Sequence, residues 1–146
     1  MHYSKLFISQ ILKEVKTIAI VGASARKERD SFKVMRSLLD NGYEVYPVNP
    51  NIEGNLILGQ LCYKNLGSIQ KEIDMVDVFR AEDAIMGIAK ESIKIKAKVL
   101  WTQLGIVNEE ASKLAQEAGL KVIMNRCPKI ELEKLDSETK MALNKF

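Results

Sequence analysis

A chain of 146 residues, 47% of them hydrophobic and 28% charged, suits a single domain with one sizeable core. Its formal charge of +3 arises from 22 Lys and Arg against 19 Asp and Glu, and the lysines are scattered, so it lacks the clustered basic face that nucleic acid requires. Two distant cysteines, Cys62 and Cys127, and a single histidine, His2, exclude a convincing soft-metal site, and no apolar run approaches the roughly 20 residues of a membrane span.

The N-terminus carries no secretory pattern, so the expectation is a cytoplasmic protein with free thiols. Residues 4–15 place Leu6, Phe7, Ile11, Leu12 and Val15 on one helical stripe. Thr17 to Val21 is a β-branched apolar run, the pattern of a strand buried on both faces of a parallel sheet. Gly22 and Ala23 end it, Ser24 and the polar stretch to Ser31 follow, and a helix from about Ser31 stops at Asn41-Gly42. A strand over Tyr43 to Val48 ends in Asn49-Pro50. A short third strand is expected at Leu61 to Tyr63 and a brief helix at Leu66 to Glu72. Strands at Met75 to Phe79, Val99 to Thr102 and Leu120 to Met124 alternate with helices at Glu82 to Ile95 and Asn108 to Glu117. The tail from Lys129 to Phe146 reads as helix. This alternation predicts an α/β fold, Rossmann-like and doubly wound, with a mostly parallel sheet in the order 3-2-1-4-5-6 and helices on both faces.

Ligands of such sheets bind outside the carboxyl ends of the strands. The first turn, Gly22-Ala23-Ser24, offers small residues and a helix N-terminus where a phosphate fits, with Arg26 and Arg29 beside it. Asn49 and Pro50, Arg80, Gln103 to Gly105, and Asn125 to Pro128 complete the same edge. No acidic residue stands in its first rank, so a tuned general base is lacking and binding is favoured over bond-making. Glu82 and Asp83 read as residues that favour a helix N-terminus. Arg80 is expected to face the ligand edge or to pair with Glu82. The dinucleotide fingerprint is unmet, since Ser24 and Lys27 stand where glycines belong, and the second strand ends in Asn49 where a ribose-binding acid would stand.

The blocks Val21-Gly22-Ala23-Ser24 with Arg29 and Ser31, Gly42-Tyr43 through Asn49-Pro50, Val76 to Arg80, Trp101 to Gly105, and Asn125 to Pro128 resemble the small bacterial and archaeal CoA-binding domain proteins. These are similar to the N-terminal CoA-binding domain of the succinyl-CoA synthetase α subunit. The resemblance spans about residues 12 to 135 and implies a Rossmann-like fold with coenzyme A or an acyl-CoA as ligand. Residue by residue it implies a site of Gly22, Ala23, Ser24, Arg26, Arg29, Val48, Asn49, Pro50, Phe79, Arg80, Gln103, Gly105, Arg126 and Cys127. Trp101 also falls in a matching block, and its place inside a central strand makes it core. Asn125 departs from the Asp of many relatives. The synthetase's catalytic histidine lies in a second domain with no counterpart here, so ligase activity is not expected. Cys127, beside Arg126, reads as a small residue in a turn, with a sharper alternative in which Arg126 lowers its thiol pKa and a mixed disulfide with coenzyme A forms. The expected partner is thus a small molecule, neither nucleic acid nor membrane, and the amphipathic terminal helices suit a homodimer. The alternatives are an NAD(P)-linked oxidoreductase with an atypical glycine loop and an interaction module whose loop binds no nucleotide.

Overall fold

A computed structural model describes residues 2–143, and the side chains of residues 2–138. The elements run α1 (Lys5–Glu14), β1 (Thr17–Val21), α2 (Asp30–Asp40), β2 (Glu44–Val48), β3 (Leu56–Ile57), β4 (Gln60–Leu61), β5 (Met75–Val78), α3 (Glu82–Lys94), β6 (Val99–Thr102), α4 (Glu109–Glu117), β7 (Lys121–Ile123) and α5 (Pro128–Leu143). The part of the predicted tail helix at residues 144–146 lies outside the described residues.

Five strands form one sheet in the order β2-β1-β5-β6-β7, all parallel, which makes the fold α/β and Rossmann-like. Because side chains alternate across a strand, each strand feeds two cores. Ile18, Ile20, Met75, Trp101 and Ile123 meet Ile11, Leu12, Phe32, Met35, Leu38 and Leu132 from α1, α2 and α5. Ala19, Val76, Val78, Leu100 and Val122 meet Ile85, Ala89, Ala111 and Ala115 from α3 and α4. Small alanines at those contacts let α3 and α4 approach the sheet closely. Ser4 caps α1 by accepting from the Phe7 amide, and Asn108 caps α4 by accepting from the Ala111 amide.

Two expectations need correction, both between β2 and β5. The third strand shrinks to one parallel bridge between Tyr63 and Val48, while Leu56–Ile57 and Gln60–Leu61 pair antiparallel with each other. Leu58 and Gly59 both have positive φ, 49° and 80°, so the chain folds back in a two-residue hairpin rather than running on along β2. The helix expected over Leu66 to Glu72 is a single 3₁₀ turn at Leu66–Ser68. Ile69 leaves it in extended conformation, and Ile69 and Ile73 are both drawn into the core on the α3 and α4 side. Pro47 lies in β2, where the missing N–H is tolerated because the main sheet continues on one side only.

Candidate functional site

The β1–α2 turn is shaped by its surroundings before any ligand is considered. Gly22 has φ +89°, and a Cβ there would stand 2.4 Å from the Phe79 carbonyl oxygen. The Gly22 and Ala23 amides both donate to the Val48 carbonyl, at 3.0 and 3.2 Å. Asn49 then staples the same turn: its Nδ2 donates to the Ala23 carbonyl at 2.8 Å, and its Oδ1 accepts from the Asn51 amide at 2.9 Å. An anion at this turn would therefore meet later amides, not those of Gly22 and Ala23. Those of Ser24, Ala25, Asp30 and Ser31 make no main-chain hydrogen bond among the described residues. Ser24 tightens the loop by accepting from the Arg26 amide at 3.1 Å.

Three hollows line the carboxyl edge of the sheet, and Phe79 is a wall of each. The central one, about 360 Å³, lies among Gly22, Ala23, Ser24, Arg26, Arg29 and Asn49. On the β2 side a hollow of about 480 Å³ is bounded by Val48, Asn49, Pro50, Lys64, Asn65 and Arg80. On the other side, between α2 and the start of α5, about 270 Å³ is enclosed by Lys33, Val34, Gln103, Leu104, Cys127 and Ile130. The central hollow shares Gly22 and Asn49 with the first neighbour and Asp30 with the second, so the three form one track. Its character changes along the way. Arg26 and Arg29 stand over the middle, and Val34, Leu104 and Ile130 make the far end apolar.

Cation by cation, the edge is less uniform than the sequence implies. Arg26 Nε pairs with Glu28 at 3.3 Å on the open surface. Arg29 and Arg80 make no ion pair among the described residues, so the pairing of Arg80 with Glu82 is not formed. Arg126 turns away from the track: its Nη1 donates to the Asn125 carbonyl at 2.8 Å, and its guanidinium lies 5.3 Å from the centre of the Tyr3 ring. Gly105 also lies off the track, in a turn where its amide donates to Asn125 Oδ1 at 2.7 Å. Trp101 is fully buried, its indole N–H donating to the Arg126 carbonyl at 2.9 Å. With Arg126 directed elsewhere, the Cys127 thiol is pushed up from its ordinary value, chiefly by burial, opposed by the Ile130 and Lys129 amides and reinforced by Asp77. The sharper alternative, in which Arg126 lowers this thiol, is overturned.

The residue that the sequence reading passed over is Asp77. It sits in mid-strand between Ile20 of β1 and Trp101 of β6, wholly buried. Burial pushes its carboxyl up to about 8, against a hydrogen bond from Gln103 and one from the Val78 amide. Gln103 Nε2 donates to Oδ1 at 3.3 Å, whereas Oδ2 has no partner. The signal was a lone acid inside the apolar run Met75 to Phe79. Lys64 and Asn65 were missed as well, because the hairpin that swings them to the edge was not foreseen.

The chain matches the CoA binding domain over residues 16–133, from the residue before β1 into the second turn of α5. It belongs to the CoA-binding domain family. That span contains every wall of the track named above. Among curated proteins, YneT of Bacillus subtilis is 42% identical over 127 residues, covering 87% of this chain and 93% of that protein. An ADP-forming acetate–CoA ligase of Methanocaldococcus jannaschii is 28% identical over 89 residues, 60% of this chain but 12% of that enzyme. Among solved structures, a hypothetical protein from Pyrococcus horikoshii OT3 superposes with a TM-score of 0.87 at 44% identity, covering 91% of this chain and 92% of that one. Family membership thus extends across nearly the whole chain, whereas the ligase likeness concerns a small part of a larger enzyme.

Proposed function

We propose that this protein binds coenzyme A, or an acyl thioester of it, along the carboxyl edge of its sheet, as a single domain and without catalysis of its own. The observation that carries the reading is the continuous track over Phe79, which passes from a cationic turn to an apolar hollow. A ligand with phosphates in one part and a long amide-bearing alkyl arm in another fits that change. Arg29, Arg26 and the free amides at the start of α2 would hold the pyrophosphate. Val48, Asn49, Pro50, Lys64 and Arg80 would surround the nucleoside and its remaining phosphate. Phe79, Gln103 and Cys127 would meet the arm.

Two details weigh against a dinucleotide. The end of β2 offers no acid for ribose hydroxyls, and the Asn49 side chain that stands there is already bonded at both ends. Bond-making is disfavoured by the same chemistry: Asp77 is sealed in the core, and burial keeps the Cys127 thiol protonated.

Thermal melting with coenzyme A, acetyl-CoA, NAD, NADP and ATP, each at millimolar concentration, tests the proposal. A ligand that binds only the folded state adds about 2.7 kcal/mol at a hundred times its dissociation constant. The expected result is a shift with the two coenzyme A compounds, absent in Arg29→Ala. A shift confined to NAD or NADP would transfer the reading to an oxidoreductase, and silence from all five would leave an interaction module.

A further inference from the structure

An acid wholly enclosed in the central strand is costly to keep, and Asn or Val would fill the same space without it. Asp77 nevertheless stands there, with Oδ2 the one buried side-chain polar atom lacking a partner among the described residues. Its only side-chain partner is Gln103, whose Nε2 donates to Oδ1. That bond commits the donor end of the Gln103 amide to the core. The acceptor end, Oε1, has no partner among the described residues, is not among the buried unpartnered atoms, and belongs to a residue that lines the hollow between α2 and α5.

We infer that Asp77 is a positioning residue, fixing Gln103 so that its amide oxygen faces this hollow and selects the N–H-bearing or S–H-bearing alkyl arm of the ligand over a phosphate. The inference rests on the coenzyme A reading of the edge and deepens it. An exposed carbonyl-type oxygen accepts hydrogen bonds and repels anions, so a phosphate gains nothing at Gln103. The neighbouring walls agree, since Val34, Phe79, Leu104 and Ile130 favour methylene groups. Lys33 and Asp30 at the rim carry opposite charges, and Lys129 is paired with Glu133 at 2.6 Å, so the rim adds no strong anion trap. Burial keeps Asp77 un-ionised through neutral pH, which spares the hollow a negative charge beneath its floor.

Calorimetric titration of the full chain at pH 7 with two probes tests this: coenzyme A, and adenosine 3′,5′-bisphosphate, which lacks the arm and the second phosphate of the pyrophosphate. In the unaltered protein coenzyme A binds more tightly than the bisphosphate. Gln103→Leu and Asp77→Val weaken coenzyme A about tenfold, the worth of one hydrogen bond, and leave the bisphosphate unchanged. Asp77→Asn keeps an acceptor for Gln103 and restores coenzyme A affinity to within about twofold of the original, a rescue that a merely structural role would not require. Asp77→Ala replaces Asp77→Val if the larger side chain does not fold. Equal loss of both probes, no loss of coenzyme A in Asp77→Val or Asp77→Ala, or failure of Asp77→Asn to rescue would overturn the inference. Equal affinity of the two probes in the unaltered protein would overturn it while leaving nucleotide binding intact. If neither probe binds, the coenzyme A reading falls and the inference with it.

Discussion

Two aspartates three residues apart, Asp74 just before β5 and Asp77 within it, are treated in opposite ways. Asp74, at the amino edge of the sheet, accepts from the Lys16 amide at 2.8 Å and the Thr17 amide at 3.3 Å, and lies 3.3 Å from Lys98 Nζ. Burial pushes its carboxyl up, but those amides and the Lys98 ammonium outweigh burial and hold it below the ordinary carboxylate value. Asp77, towards the carboxyl edge, has one side-chain donor and an orphaned oxygen, and burial pushes it up to about 8. The amino edge also bears a hollow, about 510 Å³, but its walls are Ile11, Val15, Ala97 and neighbouring lysines, and the turn amides there, such as those of Lys96, Ala97 and Gly119, are bonded to main-chain carbonyls. One end of the sheet ties its polar groups off for stability, and the other bonds Gly22, Ala23 and Asn49 but, among the described residues, keeps the amides at the start of α2 and the Arg29 and Arg80 side chains out of such pairs. Polar groups left open in this way are where binding chemistry belongs.

The largest effect should come from the turn that makes the carboxyl edge possible. Gly22→Ala combines a positive φ with a Cβ 2.4 Å from the Phe79 carbonyl, and neither can relax without separating β1 from β5. A loss of about 4 kcal/mol in urea unfolding is expected. An unchanged midpoint would show that the turn is not held against β5.

Next comes Asp77→Asn. Between the ordinary carboxylate value of 3.8 and about 8, the native state holds a proton at Asp77 that the unfolded chain has released. Stability of the unaltered protein therefore falls as pH rises through this window, by at most about 1.4 kcal/mol per pH unit for one proton, and levels off outside it. The variant lacks that slope. Its stability relative to the parent should rise from pH 4 to pH 8 by several kcal/mol, about 5 kcal/mol at most, while the cost of an amide that is itself incompletely bonded shifts the whole profile without changing that rise. Parallel profiles for parent and variant would mean that Asp77 is ionised in the native state and the contrast between the two aspartates is false.

How far these features were legible in the sequence follows from the range over which each is decided. The strand Val99–Thr102 and helix α3 stand where periodicity put them, because apolar spacing within a dozen residues defines them. Gly22, Gln103 and Cys127 were found by the rule that residues just past parallel strands meet at one edge, Phe79 came from the family resemblance, and all four line the track. Arg126 obeys the same rule and fails it. Its orientation depends on the Tyr3 ring, a contact between residues far apart in the chain that no local pattern encodes. Asp77 showed in the sequence only as a lone acid in an apolar run, and its state could not be read there, since it is set by Ile20, Trp101 and Gln103, which reach it from two other strands and a loop. The hairpin at Leu58-Gly59 was hidden because Leu58, an ordinary strand residue by composition, takes positive φ.

At the amino edge the effects reverse in sign and shrink. Asp74→Asn should destabilise the protein by about 1–2 kcal/mol at neutral pH, since two charge-assisted amide bonds become ordinary ones. The native carboxyl is held below its ordinary value, so this contribution is present above about 3.8 and is lost as pH falls through the lower native value. Parent and variant should converge in thermal melts as pH falls below 3.8 and through the lower native value, the opposite of the divergence with pH expected of Asp77→Asn. Convergence at high pH instead would reverse the assignment.

The smallest effect belongs to Lys98→Met, and it decides what ties Asp74 down. Lys98 is 74% exposed, so its attraction to Asp74 acts largely through water and is worth about 0.5 kcal/mol or less, a figure that 1 M salt should remove. The Lys16 and Thr17 amides belong to the backbone entering β1 and are not screened in this way. A loss from Lys98→Met comparable to that from Asp74→Asn would make the amino edge an electrostatic device, sensitive to salt as the cationic track is. A loss several-fold smaller, persisting in Asp74→Asn at high salt, makes it a hydrogen-bonded seam between β1 and β5. The contrast between the two ends then lies in how many amides each aspartate is given, and not in how much charge surrounds it.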